Sequence, residues 1–232
     1  MRVAIMQPYF LPYLGYWQLI AAADKFVLLD DVNFIKGGWI NRNRILVDGK
    51  PTWITLPLSG ASPNRLIRDI EIASDNGWKR KMFLSIKQSY SSSDCLGDML
   101  AFFEKWINGD AVGSLSPFLC RTINDLRAYL GLTTEIIPSS SIFPKGNLTG
   151  VDRVLDICAR LSATSYVNAP GGRHLYEKET FARNGQKLLF VQPASQTATI
   201  SDDGLALSIA HQLMSKPMDA VKTRVNDYKL TE

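Results

Sequence analysis

The sequence is poor in the residues that most often carry metals and nucleophiles, with 2 histidines and 3 cysteines among 232 residues. So few of either nearly exclude a zinc site built from them. Cys95, Cys120 and Cys158 are odd in number and far apart, which argues against a disulfide framework and for a reducing, cytoplasmic compartment. Long apolar runs are missing too. Nothing approaches the roughly 18–20 residues of a membrane span. The faint likeness of Arg2 to Ala23 to a signal peptide is broken by Gln7, Pro8, Pro12 and Gln18. Neither sign of charge is in large excess: 26 Lys plus Arg against 22 Asp plus Glu leave +4, too little to call for nucleic acid but suited to a small anionic substrate. There is no internal repeat, no serine elbow, no zincin or kinase signature and no dinucleotide glycine fingerprint.

What is present is an ordinary globular balance, 46% hydrophobic and 21% charged. Val3 to Met6 reads as a buried strand, Gly15 to Ala23 as a helix and Phe26 to Leu29 as a second strand. This order opens a parallel sheet. Residues 44–72 then read as a β-hairpin around Asp48-Gly49, with Arg68 to Ile72 as a further strand. Apolar residues at helical spacing fill a helical insertion near 78–131. The α/β rhythm resumes with strands at Thr134 to Ile137, Ser165 to Asn168 and Leu188 to Val191. Helices are expected at Val151 to Leu161 and Leu175 to Asn184, with two short ones after Ala206. The expectation is a single α/β domain over 1–232, Rossmann-like, with an inserted β-hairpin and a helical subdomain.

In an open parallel sheet, ligands bind beyond the carboxyl ends of the strands. That rule selects the loop Gln7 to Tyr16, where Gln7, Tyr9, Tyr13, Gly15 and Tyr16 are candidate substrate contacts and the helix start suits a phosphate. It also selects Asp30 to Arg44. Asp30 and Asp31 there are able to orient a ribose, hold a divalent cation or accept a proton, and Lys36, Trp39, Asn41, Arg42 and Arg44 offer cationic and polar contacts. A serine-rich stretch, Ser139 to Gly150, gives a weaker anion cradle. Asn168, Gly171, Gly172, Arg173 and His174 fill the last strand-to-helix junction, where His174 is placed to take a proton. His211 lies among apolar residues and reads as structural. Cys120 and Cys158 lie on apolar helix stripes.

These residues carry a resemblance. Met6-Gln7-Pro8-Tyr9-Phe10-Leu11-Pro12-Tyr13-Leu14-Gly15-Tyr16, Asp30-Asp31-Val32 and Ile35-Lys36-Gly37-Gly38-Trp39-Ile40-Asn41-Arg42-Asn43 are similar to the WbqC-like family. The likeness continues in Tyr166-Val167-Asn168, Gly171-Gly172 and Leu207-Ser208-Ile209, and so spans essentially the whole chain. It departs at Ala210-His211, where the family resemblance leads one to expect an acidic residue. The resemblance implies a place in bacterial O-antigen or lipopolysaccharide assembly, and transfer of an acyl or aminoacyl group such as glycyl onto an amino sugar. The opening is also laid out like that of nucleotidylyltransferases of the pantothenate synthetase kind, but Tyr13 and Tyr16 occupy the places of their triphosphate-binding histidines.

The expected function is therefore an acyl- or aminoacyltransferase acting on a nucleotide-linked amino sugar. His174, Asp30 or Asp31 would be the proton acceptor, and no metal or other cofactor is required. The donor is expected to be a coenzyme A or carrier-protein thioester, which makes an acyl or peptidyl carrier protein a candidate partner. Neither nucleic acid nor a membrane span is expected. The rivals are a metal-dependent nucleotidyl- or glycosyltransferase using Asp30 and Asp31, and a non-catalytic sugar-binding subunit.

Overall fold

A computed structural model describes residues 1–75, 77–109, 113–194 and 206–232. Its frame is a six-stranded sheet. β1 (Arg2–Met6) leads through α1 (Leu14–Ala22) to β2 (Lys25–Leu28), which pairs with β1 in parallel, Val3 opposite Lys25. The chain then leaves the sheet for the hairpin β3 (Arg42–Val47) and β4 (Lys50–Thr55), the short pair β5 (Leu58–Ser59) and β6 (Glu71–Ile72), and three helices, α2 (Gly77–Ser89), α3 (Leu96–Asn108) and α4 (Leu115–Tyr129). It returns through β7 (Glu135–Ile137), α5 (Gly150–Arg160), β8 (Ser165–Asn168), α6 (Lys178–Arg183) and β9 (Lys187–Pro193), and ends with α7 (Ile209–Ser215), α8 (Met218–Asn226) and β10 (Tyr228–Thr231).

The sheet order is β10-β9-β8-β1-β2-β7. Five strands are parallel, and β10 lies antiparallel on β9. The five parallel strands are those expected from the sequence, and the architecture is Rossmann-like α/β. The alternation of side chains along a strand explains the two cores. Ala4, Phe26, Leu28, Val167 and Val191 face a large core shared with α1, the hairpin and the inserted helices. Val3, Ile5, Val27, Tyr166 and Phe190 face a smaller one closed by α5 and α6. α1 is buried almost all round because it lies between the sheet and α8. Among the described residues no helix is long and apolar enough to cross a membrane.

Two local expectations are corrected. Arg68 to Ile72 is a 3₁₀ turn, Ile67–Asp69, followed by the two-residue β6, because the Arg68 N–H is spent on the Asp30 carbonyl at 3.1 Å instead of a neighbouring strand. The helix expected at Leu175 starts only at Lys178, after a 3₁₀ segment Pro170–Leu175 whose glycine pair does not favour α-helix.

Candidate functional site

The chain leaves β1 toward β2 on one side, while β8 and β9 lie on the other, so the strand order reverses between β1 and β8. A cavity of about 470 Å³ opens there, beyond the carboxyl ends of both strands. The structure brings Gln7, Tyr13 and Gly15 from the β1–α1 loop to this crevice together with Asn168, Gly171 and Gly172 from the far side of β8. Gly15 lets the Tyr13 ring lie across the start of α1; a β-carbon there would stand 3.2 Å from Tyr13 Cε2. Gln18 and Tyr176 line the crevice too and were not singled out from the sequence. For Gln18 a signal existed: it is one turn from Gly15 and so on the same helix face, and it is a polar residue in an otherwise apolar helix.

The aromatic loop is held rigidly from beneath. Leu11, fully buried, adopts a φ of 45°, a region that branched side chains avoid. Its carbonyl accepts from Asn43 Nδ2 and from Ser208 Oγ, both at 2.8 Å. Tyr16 is buried and donates to the Gln7 carbonyl at 2.9 Å, with Tyr9 packed against its ring at 5.3 Å. Tyr9 and Tyr16 therefore lie outside the crevice lining and support it. Burial, with the nearby Tyr13 phenol adding to it, pushes Tyr9 up to about 12. Burial also raises Tyr13 and Tyr16, so the three phenols stay protonated donors.

Trp39 extends this loop outward. Its ring meets Tyr13 edge-on at 5.8 Å and Trp53 at 5.5 Å. Antiparallel register puts Trp53 opposite Arg44, and alternation puts Arg42 on the same face. The Arg42 guanidinium lies 4.2 Å from the Trp53 ring centre and donates to the carbonyls of Gly37 and Gly38. Arg44 sits 5.5 and 5.3 Å from the two indoles, and its buried Nε has no hydrogen-bond partner among the described residues. Asn41 closes the base of the hairpin on Leu56, and Lys36 projects into solvent.

Asp30 and Asp31 are both buried but have different surroundings. Asp31 forms an ion pair with buried Arg153 at 2.8 Å and accepts from Ser140 Oγ at 2.5 Å. Asp30 accepts from Ser116 Oγ and Ser139 Oγ, each at 2.6 Å, and lines a second cavity. His174 is exposed in the 3₁₀ segment, one residue from Leu175 at the crevice wall, but does not itself line the crevice. Arg173 turns away: its guanidinium covers the Phe190 ring at 4.4 Å and donates to Thr231 Oγ1 at 2.6 Å, clamping β10. His211 is buried, with Nδ1 2.8 Å from the Tyr90 hydroxyl. That hydroxyl also receives the Leu46 N–H at 3.1 Å, so His211 is tied through Tyr90 to β3. Burial pushes the thiols of Cys120 and Cys158 up to about 11 and about 12. Among the described residues no group of three or more His, Cys, Asp or Glu side chains stands together as metal ligands would.

Comparison with known proteins agrees with the sequence resemblance. A family model described as the WbqC-like protein family matches residues 7–222. The chain is similar to an uncharacterized protein, Rv1507c, of Mycobacterium tuberculosis (strain ATCC 25618 / H37Rv). The two are 28% identical over 181 residues, which cover 78% of this chain and 77% of that one. No solved structure matches the chain.

Proposed function

The chain belongs to the WbqC-like protein family, and from that premise we propose that it transfers an acyl or aminoacyl group onto a nucleotide-linked amino sugar seated in the crevice between β1 and β8. One observation supports this most: Tyr13 on the crevice wall is in ring contact with Trp39, and Trp39 with Trp53, where Arg44 makes no ion pair among the described residues. Aromatic faces suit a base or sugar ring, and a guanidinium suits a diphosphate. The start of α1, free of acidic side chains in its first turn, adds backbone donors for the same charge.

The reaction balances without a net base. The sugar amine attacks the carbonyl carbon of a coenzyme A or carrier-protein thioester, the C–N bond forms and the C–S bond breaks. The proton lost by nitrogen is taken up by the departing thiolate. Positioning then supplies most of the acceleration. His174, exposed beside the crevice wall, is our candidate for relaying that proton. The metal-dependent rival would need Asp31 as a ligand, and Arg153 already occupies that carboxylate.

The test is calorimetry with a uridine- or thymidine-diphosphate amino sugar, followed by mass spectrometry of that sugar after incubation with thioester donors. Saturable binding weakened about tenfold or more by Asn168→Ala and by Arg44→Gln, with an acylated product, is expected. Binding that neither substitution alters would overturn the placement. Product formation abolished by EDTA would favour the metal-dependent rival. Binding with no turnover on any thioester would favour a sugar-binding subunit.

A further inference from the structure

The second cavity, also about 470 Å³, lies between the end of β2, the 3₁₀ turn Ile67–Asp69, the start of α4 and the loop after β7. Asp30 is on its wall, with Ser116 and Ser139 beside the carboxylate and Arg68 and Arg121 among the other lining side chains. Asp30 is 2% exposed. A buried carboxylate normally has a counter-ion, because taking an isolated charge out of water is very costly. Asp31, its chain neighbour and equally buried, has one in Arg153. Asp30 has none: among the described residues no cationic group stands within ion-pair distance of it, and the residues outside that set include no Lys, Arg or His.

What does hold Asp30 is neutral. Ser116 Oγ and Ser139 Oγ donate to its two oxygens, one each. Ser140 Oγ is nearer to Asp31, at 2.5 Å against 3.4 Å, and its single proton goes there. A carboxylate has about four lone-pair sites, so about two remain open. The start of α4 contributes the helix end's partial positive charge, roughly half an elementary charge at most. Asp30 is thus held by neutral donors alone, on the wall of a cavity whose lining also includes Arg68 and Arg121. Arg121 makes no ion pair among the described residues, and Arg68 makes only a loose one, 3.7 Å to Asp69.

We infer that this cavity binds a small molecule carrying both a primary ammonium, which Asp30 receives, and an anionic group, which Arg121 and Arg68 receive. The open lone pairs of Asp30 and the Ser116 hydroxyl are acceptors for the three N–H donors of an ammonium. An α-amino acid and an amino sugar phosphate share this chemistry. The inference does not depend on which reaction the crevice supports, since it uses none of the crevice residues.

Glycine and glucosamine 6-phosphate are suitable probes, each set against its N-acetyl counterpart, with affinity measured by calorimetry on the full chain. Cys120 reports the location, because it lines this cavity while Cys95 does not. Ligand should slow the modification of Cys120 by a small thiol reagent relative to Cys95, read by mass spectrometry. At least one amine probe is expected to bind and to protect Cys120, and N-acetylation to weaken it about tenfold or more. Asp30→Asn should weaken it similarly, and Arg121→Gln, at a half-buried position that makes no ion pair among the described residues, provides a second variant. Which probe binds separates amino acid from sugar phosphate. If neither amine probe binds the folded wild-type chain, the inference fails. It fails also if binding survives N-acetylation, or leaves Cys120 unprotected, or is unchanged in Arg121→Gln and in folded Asp30→Asn.

Discussion

The backbone of Gly172 passes directly beneath the side-chain amide of Asn168, so closely that a β-carbon there would stand 2.5 Å from Asn168 Nδ2. No real β-carbon keeps that distance, and Asn168, whose Oδ1 already accepts the Ala169 N–H at 2.7 Å, would have to rotate. Gly171, next to it on the same crevice wall, has nothing within 4 Å of the corresponding position.

These neighbours form a matched pair of substitutions. Gly172→Ala should weaken binding of the nucleotide sugar about tenfold or more by displacing Asn168, while Gly171→Ala should leave it within about twofold. Calorimetry on both proteins decides. Equal effects would mean that the Asn168 amide does not orient the ligand.

The left-handed Leu11 depends on Asn43, whose Nδ2 donates to the carbonyls of Phe10 and Leu11 at 3.2 and 2.8 Å. Asn43→Ala takes this donor from the Phe10 carbonyl and leaves the Leu11 carbonyl to Ser208 Oγ alone, and a loss of about 1–3 kcal/mol is expected in urea unfolding. A loss below about 0.5 kcal/mol would show that the loop is held without it.

The losses from removing Asp31 and from removing Arg153 should not add. Asp31→Asn removes the nearer of the two carboxylates paired with Arg153, the other being Asp156 at 3.3 Å, and is expected to cost about 3 kcal/mol. Arg153→Met also forfeits its bonds to the Ser140 and Phe143 carbonyls at 2.8 and 2.9 Å. The double variant should be less destabilised than the two single losses added together, a coupling that denaturation of all four proteins measures.

Alkali should unfold the protein by a calculable route. In the fold the thiol of Cys120 is raised from an ordinary 9.0 to about 11, and Cys158 to about 12. The Tyr9 and Tyr90 phenols are raised from 10.0 to about 12. The neutral form is favoured in the native state, so the unfolded chain loses these protons first. Stability is then complete below about pH 9 and declines as pH rises through about 9–12. Urea midpoints should be level from about pH 7 to 8.5 and fall beyond; a midpoint unchanged at about pH 10.5 would contradict the assignment.

Local patterning made much of this legible in advance. Apolar runs located all five parallel strands, and Asp48-Gly49 marked a turn whose two residues do have positive φ, 50° and 72°. What the sequence left open depended on distant partners. β10 is a half-buried, mixed-polarity strand that exists because β9 is there to pair with it. Trp53 joins the cationic cluster only through the register that sets it across from Arg44. Asp30 and Asp31 read as a pair because they are adjacent. Beyond the end of β2, Asp30 meets Ser116 on α4 while Asp31 meets Arg153 on α5, partners that only the fold brings there.

The bond from Ser208 to the Leu11 carbonyl joins residues 197 apart in the chain. Nearby, Ser208 N–H donates to Arg44 at 2.8 Å and Ile209 N–H to Pro12 at 2.9 Å. Early, middle and late parts of the polypeptide thus meet under one loop. Contacts of such sequence separation form slowly, since loop closure must precede them. The Leu11 loop is thus held by contacts of the slow-forming kind. Until residues 208 and 209 have been made, the Leu11 carbonyl and the Pro12 carbonyl lack two of the donors that hold the loop in the finished fold.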